Sequence, residues 1–239
     1  MFDVRTTGLR ARRGPELAFG LKELLVILAV TVLFACMIAV SWRNGARRSK
    51  DICCNCNLKQ VGLAFKLWAN DNNGKYPMQV SVTNGGTMEL VNNGAVFVQF
   101  LAMSNELSTP KVLICLEETD PARKLAATFD QILSPTISSQ VVPFTSDKNL
   151  NYFVGVDAED GLLSSRLLSG DWNLAIGGVP VKHGLYEIRT NALVSWVGSR
   201  HGHHGNLCLA DGSVHQVDAS GLRSVLIQSG VVTNRLAIP

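Results

Sequence analysis

The sequence predicts an α+β protein. A long N-terminal helix, membrane-spanning in its first half, packs its second half on a small, mainly antiparallel β-sheet domain. Three observations carry this. The run Leu24–Trp42 holds no charged residue and would make a helix of about 28 Å, close to the thickness of a bilayer's hydrocarbon core. No proline interrupts Phe19 to Asn73, and Leu58, Val61, Phe65 and Trp68 recur at three- and four-residue steps, the stripe of a helix lying on a core. The last third breaks into short apolar segments punctuated by glycine, with Asp211-Gly212 between two of them, a hairpin signal. The chain therefore divides into a basic leader (1–18), the apolar half of the helix (19–42), its second half (43–73) and an α+β domain (74–239).

The apolar half needs more than an anchor's explanation. A cleaved secretory signal has a shorter apolar region, about 7–15 residues, and its small-residue cleavage site follows that region; here the small residue, Ala18, precedes it. Glu23 stands near the start of the run, where a carboxylate is costly and is normally paired. Lys22 is its sequence neighbour and points about 100° away on a helix, so another cation must serve. A free α-amino group upstream would do so. Charge does not set orientation: Arg5, Arg10, Arg12 and Arg13 precede the helix, and Arg43, Arg47, Arg48 and Lys50 follow it, a tie under the positive-inside rule. Trp42 fits an interfacial aromatic.

The stretch Ala18-Phe19-Gly20-Leu21-Lys22-Glu23-Leu24-Leu25-Val26 resembles the prepilin-type cleavage and methylation signal, (G or A)-F-T-L-I-E-L-L-V. Gly20 and Lys22 depart from that pattern. The resemblance implies a type IV pilin-like fold and cleavage by a prepilin peptidase between Ala18 and Phe19. It further implies methylation of the new amino terminus, and a Glu23 that neutralises the amino terminus of a neighbouring subunit during assembly. It also implies an inner-membrane location, leader inside, with the C-terminal domain in the periplasm.

Composition narrows the partners. The chain has 239 residues and a formal charge of +3; residues 1–18 hold four basic and two acidic groups, which leaves 18 basic and 17 acidic beyond them. So even a balance is no electrostatic footprint for nucleic acid.

Beyond the apolar run, the Leu58–Trp68 stripe is expected to leave a separate polar face of Asn55, Lys59, Gly62, Lys66 and Asn70, and the helix should end at Asn72-Asn73-Gly74, with Pro77 beyond. Asp71–Gly74 lacks the spaced carboxylates and terminal Glu of a calcium loop. This region resembles a recurrent start of the globular part, C-x-N-N-L-K-Q-I-G-L-A-F then Y-A-N-D-N-N-G-K-F-P, in pseudopilin-like proteins of Planctomycetes and Verrucomicrobia. Cys54, Leu58, Lys59, Gln60, Gly62, Leu63, Ala64 and Phe65 fall on it.

Val96, Phe100, Met103 and Leu107 predict a short core helix over Ala95–Leu107, and Pro110 then precedes a predicted strand, Lys111–Cys115. Related proteins end that strand in C-P-S-D; here Cys115-Leu116-Glu117-Glu118 departs from the pattern. Six cysteines occur, at 36, 53, 54, 56, 115 and 208. Their spacing does not repeat the paired ligands of a zinc site, and a disulfide suits an oxidising compartment. The resemblance implies the pair Cys54–Cys115, the two positions where the family's cysteines recur.

Leu150–Asp157 reads as a buried strand, and Asp157, Glu159, Asp160 and Asp171 then cluster around glycines. Major pseudopilins hold calcium in a comparable region, so these four are weak calcium candidates beside their reading as solvated loop acids. Leu193–Val197 is a further strand. In the hairpin that follows, Leu209 and Val214 are expected on one face, Cys208 and His215 on the other. His201, His203, His204 and His215 near Asp211 could be taken for a metalloenzyme constellation, but no paired helical ligands and no separate base accompany them. The spacing His201, nine residues, Asp211-Gly212 reproduces the H-x9-DG motif associated with prepilin-type signals. A His201–Asp211 hydrogen bond fastening loop to hairpin is the expected role. Ala219–Gly230 predicts a terminal helix and Val231–Pro239 a tail.

The expectation is a non-enzymatic, pseudopilin-like subunit of a type II secretion or type IV pilus-like system, with no metal and no cofactor. Its partners would be prepilin peptidase, other pseudopilins and the inner membrane, with no nucleic acid. The alternative is a membrane-tethered metal-dependent hydrolase or ligand-binding domain using the His-rich loop 201–215.

Overall fold

The computed structural model describes residues 20–118, 120–130, 141–161, 165–198 and 200–239, the side chains of 40–48 and 200 excepted. Ala18 and Phe19, the expected cleavage site, lie outside the described residues. The structure is α+β. Helix α1 runs Leu21–Asp71, and the chain divides into two units, 1–47 and 48–239.

In the first unit, Leu21–Ala39 is long and apolar enough to cross a membrane, with a mean hydropathy of 2.4 and none of it buried. A single-pass anchor and a signal sequence share that description. The helix starts because Glu23 Oε2 accepts the Gly20 N–H at 2.8 Å, satisfying one of the amide groups that a helix start leaves without a partner.

The second unit is built round a six-stranded antiparallel sheet. Its strands are β1 (Tyr152–Gly155), β2 (Leu167–Asp171), β5 (Gly184–Arg189), β7 (Gly205–Leu209), β8 (Val214–Val217) and β9 (Thr233–Ile238), in the order β5-β9-β1-β2-β7-β8. A smaller antiparallel sheet joins β3 (Leu174–Ile176), β4 (Val179–Pro180) and β6 (Val194–Trp196). Successive side chains on a strand point to opposite faces, and here both faces are covered. Tyr152, Val154, Leu168, Cys208 and Ala237 join a core with Leu58, Val61, Phe65 and Trp68 of α1. Phe153, Leu167, Leu207, Leu236 and Ile238 join a second core with Trp196 and with Leu222 and Leu226 of α4 (Ala219–Gln228).

The predicted α1 stripe is buried: Leu58, Val61 and Phe65 are fully covered and Trp68 is 6% exposed. The helix stops where Asn73 and Gly74 take positive φ (57° and 75°) and the Gly74 N–H returns to the Ala69 carbonyl at 2.8 Å, closing open carbonyls of the last turn.

Four local expectations are corrected. Ala95–Leu107 splits at Met103 into α2 (Phe97–Ala102) and α3 (Ser104–Leu107). Lys111–Cys115 is no strand: Pro110–Leu113 forms a 3-10 turn, with Pro at its start and Thr109 capping Lys111 N. The tail 231–239 contains β9, an inner strand of the main sheet. The hairpin loop has three residues, since Gly212 N bonds Leu209 O and Leu209 N bonds Ser213 O, both at 2.9 Å, and Gly212, with φ 85°, is the only turn residue at positive φ. This is a type I turn closed by a left-handed glycine. The extra residue changes the register, so Cys208 pairs with Val214 and Leu207 with His215, reversing the expected faces.

Candidate functional site

His201 sits at φ 47°, ψ 26°, a left-handed conformation uncommon for a residue with a Cβ. Its own contacts hold it there. The His201 N–H donates to Glu117 Oε2 at 2.8 Å, and its ring is fully buried. Nδ1 lies 2.5 Å from Asp51 Oδ1 and 3.3 Å from Glu117 Oε2, while Nε2 lies 3.5 Å from Asp171 Oδ2 and 3.4 Å from Cys115 Sγ. Three carboxylates therefore face one imidazole, in a site where burial penalises unbalanced charge.

Each partner is set by a different element. Asp51 comes from α1 at the start of the second unit. Cys54, one turn later, is joined by a disulfide to Cys115, with Cα atoms 5.0 Å apart. Glu117 follows Cys115 in a segment that Asn151 steadies: Asn151 Oδ1 accepts from Cys115 N at 3.3 Å, and Asn151 Nδ2 donates to Glu118. Asp171 ends β2, fully buried, and accepts from Asn206 N at 2.7 Å and Asn206 Nδ2 at 3.0 Å. Asp51 and Asn206, with Asn55, Lys59 and Gln216, line a cleft of about 480 Å³.

The two ends of the H-x9-DG motif do not meet, which corrects the expected His201–Asp211 bond. They flank opposite ends of β7. Asp211 Oδ1 instead accepts from Ser213 N at 2.8 Å, tightening the turn. Burial opposes the Asp211 charge, yet hydrogen bonds from Ser213 and the charges of His215 and Lys66 hold its carboxyl below the usual value. The turn lies on α1 farther along: a Cβ built on Gly62 would come within 2.7 Å of Cys208 Sγ and 3.4 Å of Gly212 O. Tyr76 Oη, its ionisation pushed up by burial, donates to Ala210 O at 2.7 Å. Asp51 and Gly62 are about 16 Å apart along a helix axis at ~1.5 Å per residue, so the motif fastens the sheet to α1 at two points.

The remaining candidates are dispersed. His203, His204 and His215 are exposed, and His215 Nε2 meets Ser213 Oγ at 3.0 Å. The weak calcium candidates form no common set. Asp157 binds Arg235 through Nε at 3.0 Å, Glu159 lies 3.6 Å from Arg166, and Asp160 pairs with Lys66; each carboxylate has met a cation of the protein. Among the described residues, Asp51, Glu117 and His201 form one close group of potential metal ligands, and Cys54, Cys115 and His201 the other. Sequence reasoning missed Asp51, Glu117 and Asn206. The departure at Glu117-Glu118 from the family's loop was the available signal for one of them.

No family model, curated protein or solved structure matches the chain.

Proposed function

We propose that the protein is a structural, pseudopilin-like subunit of a type II secretion or type IV pilus-like system. In this reading it is inserted once in the inner membrane with its C-terminal domain in the periplasm, cut by a prepilin peptidase between Ala18 and Phe19, and assembled with its kind through the N-terminal helix. One observation carries the reading. The helix Leu21–Ala39 has a mean hydropathy of 2.4 and no burial against its own chain, and Glu23 is the acidic residue of its first turn. An apolar helix with none of its surface buried needs lipid or other copies around it. Glu23 in such surroundings calls for a cation, and the α-amino group released at Phe19 would supply one. The buried, cross-linked surroundings of His201 support a domain that holds shape rather than one that turns over substrate.

Intact-mass analysis of the full chain from a cell that contains prepilin peptidase tests the reading. The expected species begins at an N-methylated Phe19. A chain that still begins at Met1, or one cut beyond the apolar helix, would refute it.

A further inference from the structure

We propose that His201 Nδ1, Asp51 and Glu117 are the ligands of a divalent cation site of the zinc class. The three donors are the imidazole and carboxylates that zinc takes, and their ligand atoms lie within 4.8 Å of one another. Zinc bonds of about 2.0–2.2 Å in a tetrahedron set ligands about 3.4 Å apart. Glu117 Oε2 is already 3.3 Å from Nδ1. Asp51 Oδ1, at 2.5 Å, stands at hydrogen-bond distance, and its side chain, 31% exposed, has room to withdraw by about 1 Å as the metal enters.

Two further features point to a ligand. A metal-bound histidine usually gives its second ring nitrogen to a carboxylate, and Asp171 Oδ2 stands 3.5 Å from Nε2, itself held by two donors of Asn206. That arrangement presents Nδ1 to the metal. Asn206 is fully buried, and its carbonyl oxygen Oδ1 finds no hydrogen-bond partner among the described residues, although Asn206 lines the same cleft as Asp51. Of the three ligands, Asp51 lines the cleft, which gives a cation a way in. One dication would also offset two of the three carboxylates around His201. Its effect is to cross-link α1, the segment after Cys115 and the loop before β7, beside the disulfide.

The test uses the full-length, untagged chain in detergent micelles with its disulfide intact and accessible thiols alkylated, dialysed against zinc ions alone. Elemental analysis should find one zinc per chain. Asp51→Asn and Glu117→Gln should each weaken binding at least 10-fold, and Asp171→Asn by about 10–100-fold. The paired change His203→Gln and His204→Gln should leave affinity unaltered. Circular dichroism checks that each variant is folded, and partly exposed Asp51 is the position that best tolerates change. No zinc above the dialysis background, an affinity that Asp51→Asn and Glu117→Gln do not move, or a loss in the His203/His204 variant would each overturn the site.

Discussion

Replacing Gly62 by alanine tests the contact that seats the hairpin on α1. Two effects compete. Alanine is favoured over glycine in a helix interior by about 1 kcal/mol. Against this, the new Cβ would lie 2.7 Å from Cys208 Sγ, about 1 Å inside ordinary contact. Cys208 is fully buried in the core, where overpacking of this kind costs about 1–3 kcal/mol. The steric cost wins: Gly62→Ala should destabilise the domain by about 1 kcal/mol, lowering the melting temperature by about 2–4 °C for a chain of this size. Removing the obstructing sulfur should release the helix gain. In a Cys208→Ala background, Gly62→Ala should therefore be neutral or stabilising, a coupling of at least about 1 kcal/mol. Thermal unfolding of the four proteins in micelles, followed by circular dichroism, reads the cycle. A Gly62→Ala variant that melts higher than the parent, with the same shift whether or not Cys208 is present, would refute the packing argument.

Three other outcomes follow from the hairpin and its sulfur. Burial, and then the charge of Asp211, push the Cys208 thiol up to about 12 from an ordinary value of 9.0. The folded state thus keeps a proton that the unfolded chain gives up. This contribution to stability is whole below pH 9 and is lost as pH rises towards 12, by at most about 1.4 kcal/mol per pH unit; denaturant titrations should show that slope diminished in Cys208→Ala. At pH 8, iodoacetamide should label exposed Cys56 in the folded protein and Cys208 only after unfolding, read by peptide mass. Gly212→Ala forces a side chain into φ 85° and should cost about 1–2 kcal/mol, whereas Gly212→Asn, which tolerates that region better, should cost measurably less in the same melting assay.

The α1 stripe was legible because Leu58, Val61, Phe65 and Trp68 report a helix's period directly, and its stop because Asn73-Gly74 is turn chemistry. Contacts set by distant segments were not. His201 and Asp51 are 150 residues apart, and no spacing rule joins them. Strand β9 reads as a tail in the sequence because its two faces meet different cores, so Asn234, Leu236 and Ile238 alternate with Arg235 and Ala237 without a clean apolar and polar division. Asp211-Gly212 marks the hairpin in the sequence, but nothing in the dipeptide shows the third loop residue, Ala210. That one residue puts Cys208, rather than Leu209, opposite Val214. The 3-10 turn at Pro110 arose where Thr109 captures a backbone amide, a local preference that outweighed the β-branched residues after it.

The position of β9 bears on when this domain can exist. It fills the place between β5 and β1, so until residue 238 has been synthesised, β1 has no neighbour on one side and β5 is detached from the sheet. Leu236 and Ile238 are also missing until then from the core beneath Trp196. Synthesis runs far slower than local helix formation, so α1 is complete long before its domain can close. During that interval the chain is a finished apolar helix trailing an unfolded polypeptide. Folding waits on the sheet's latest-made strand, and pairing across such sequence distances is slow in its own right.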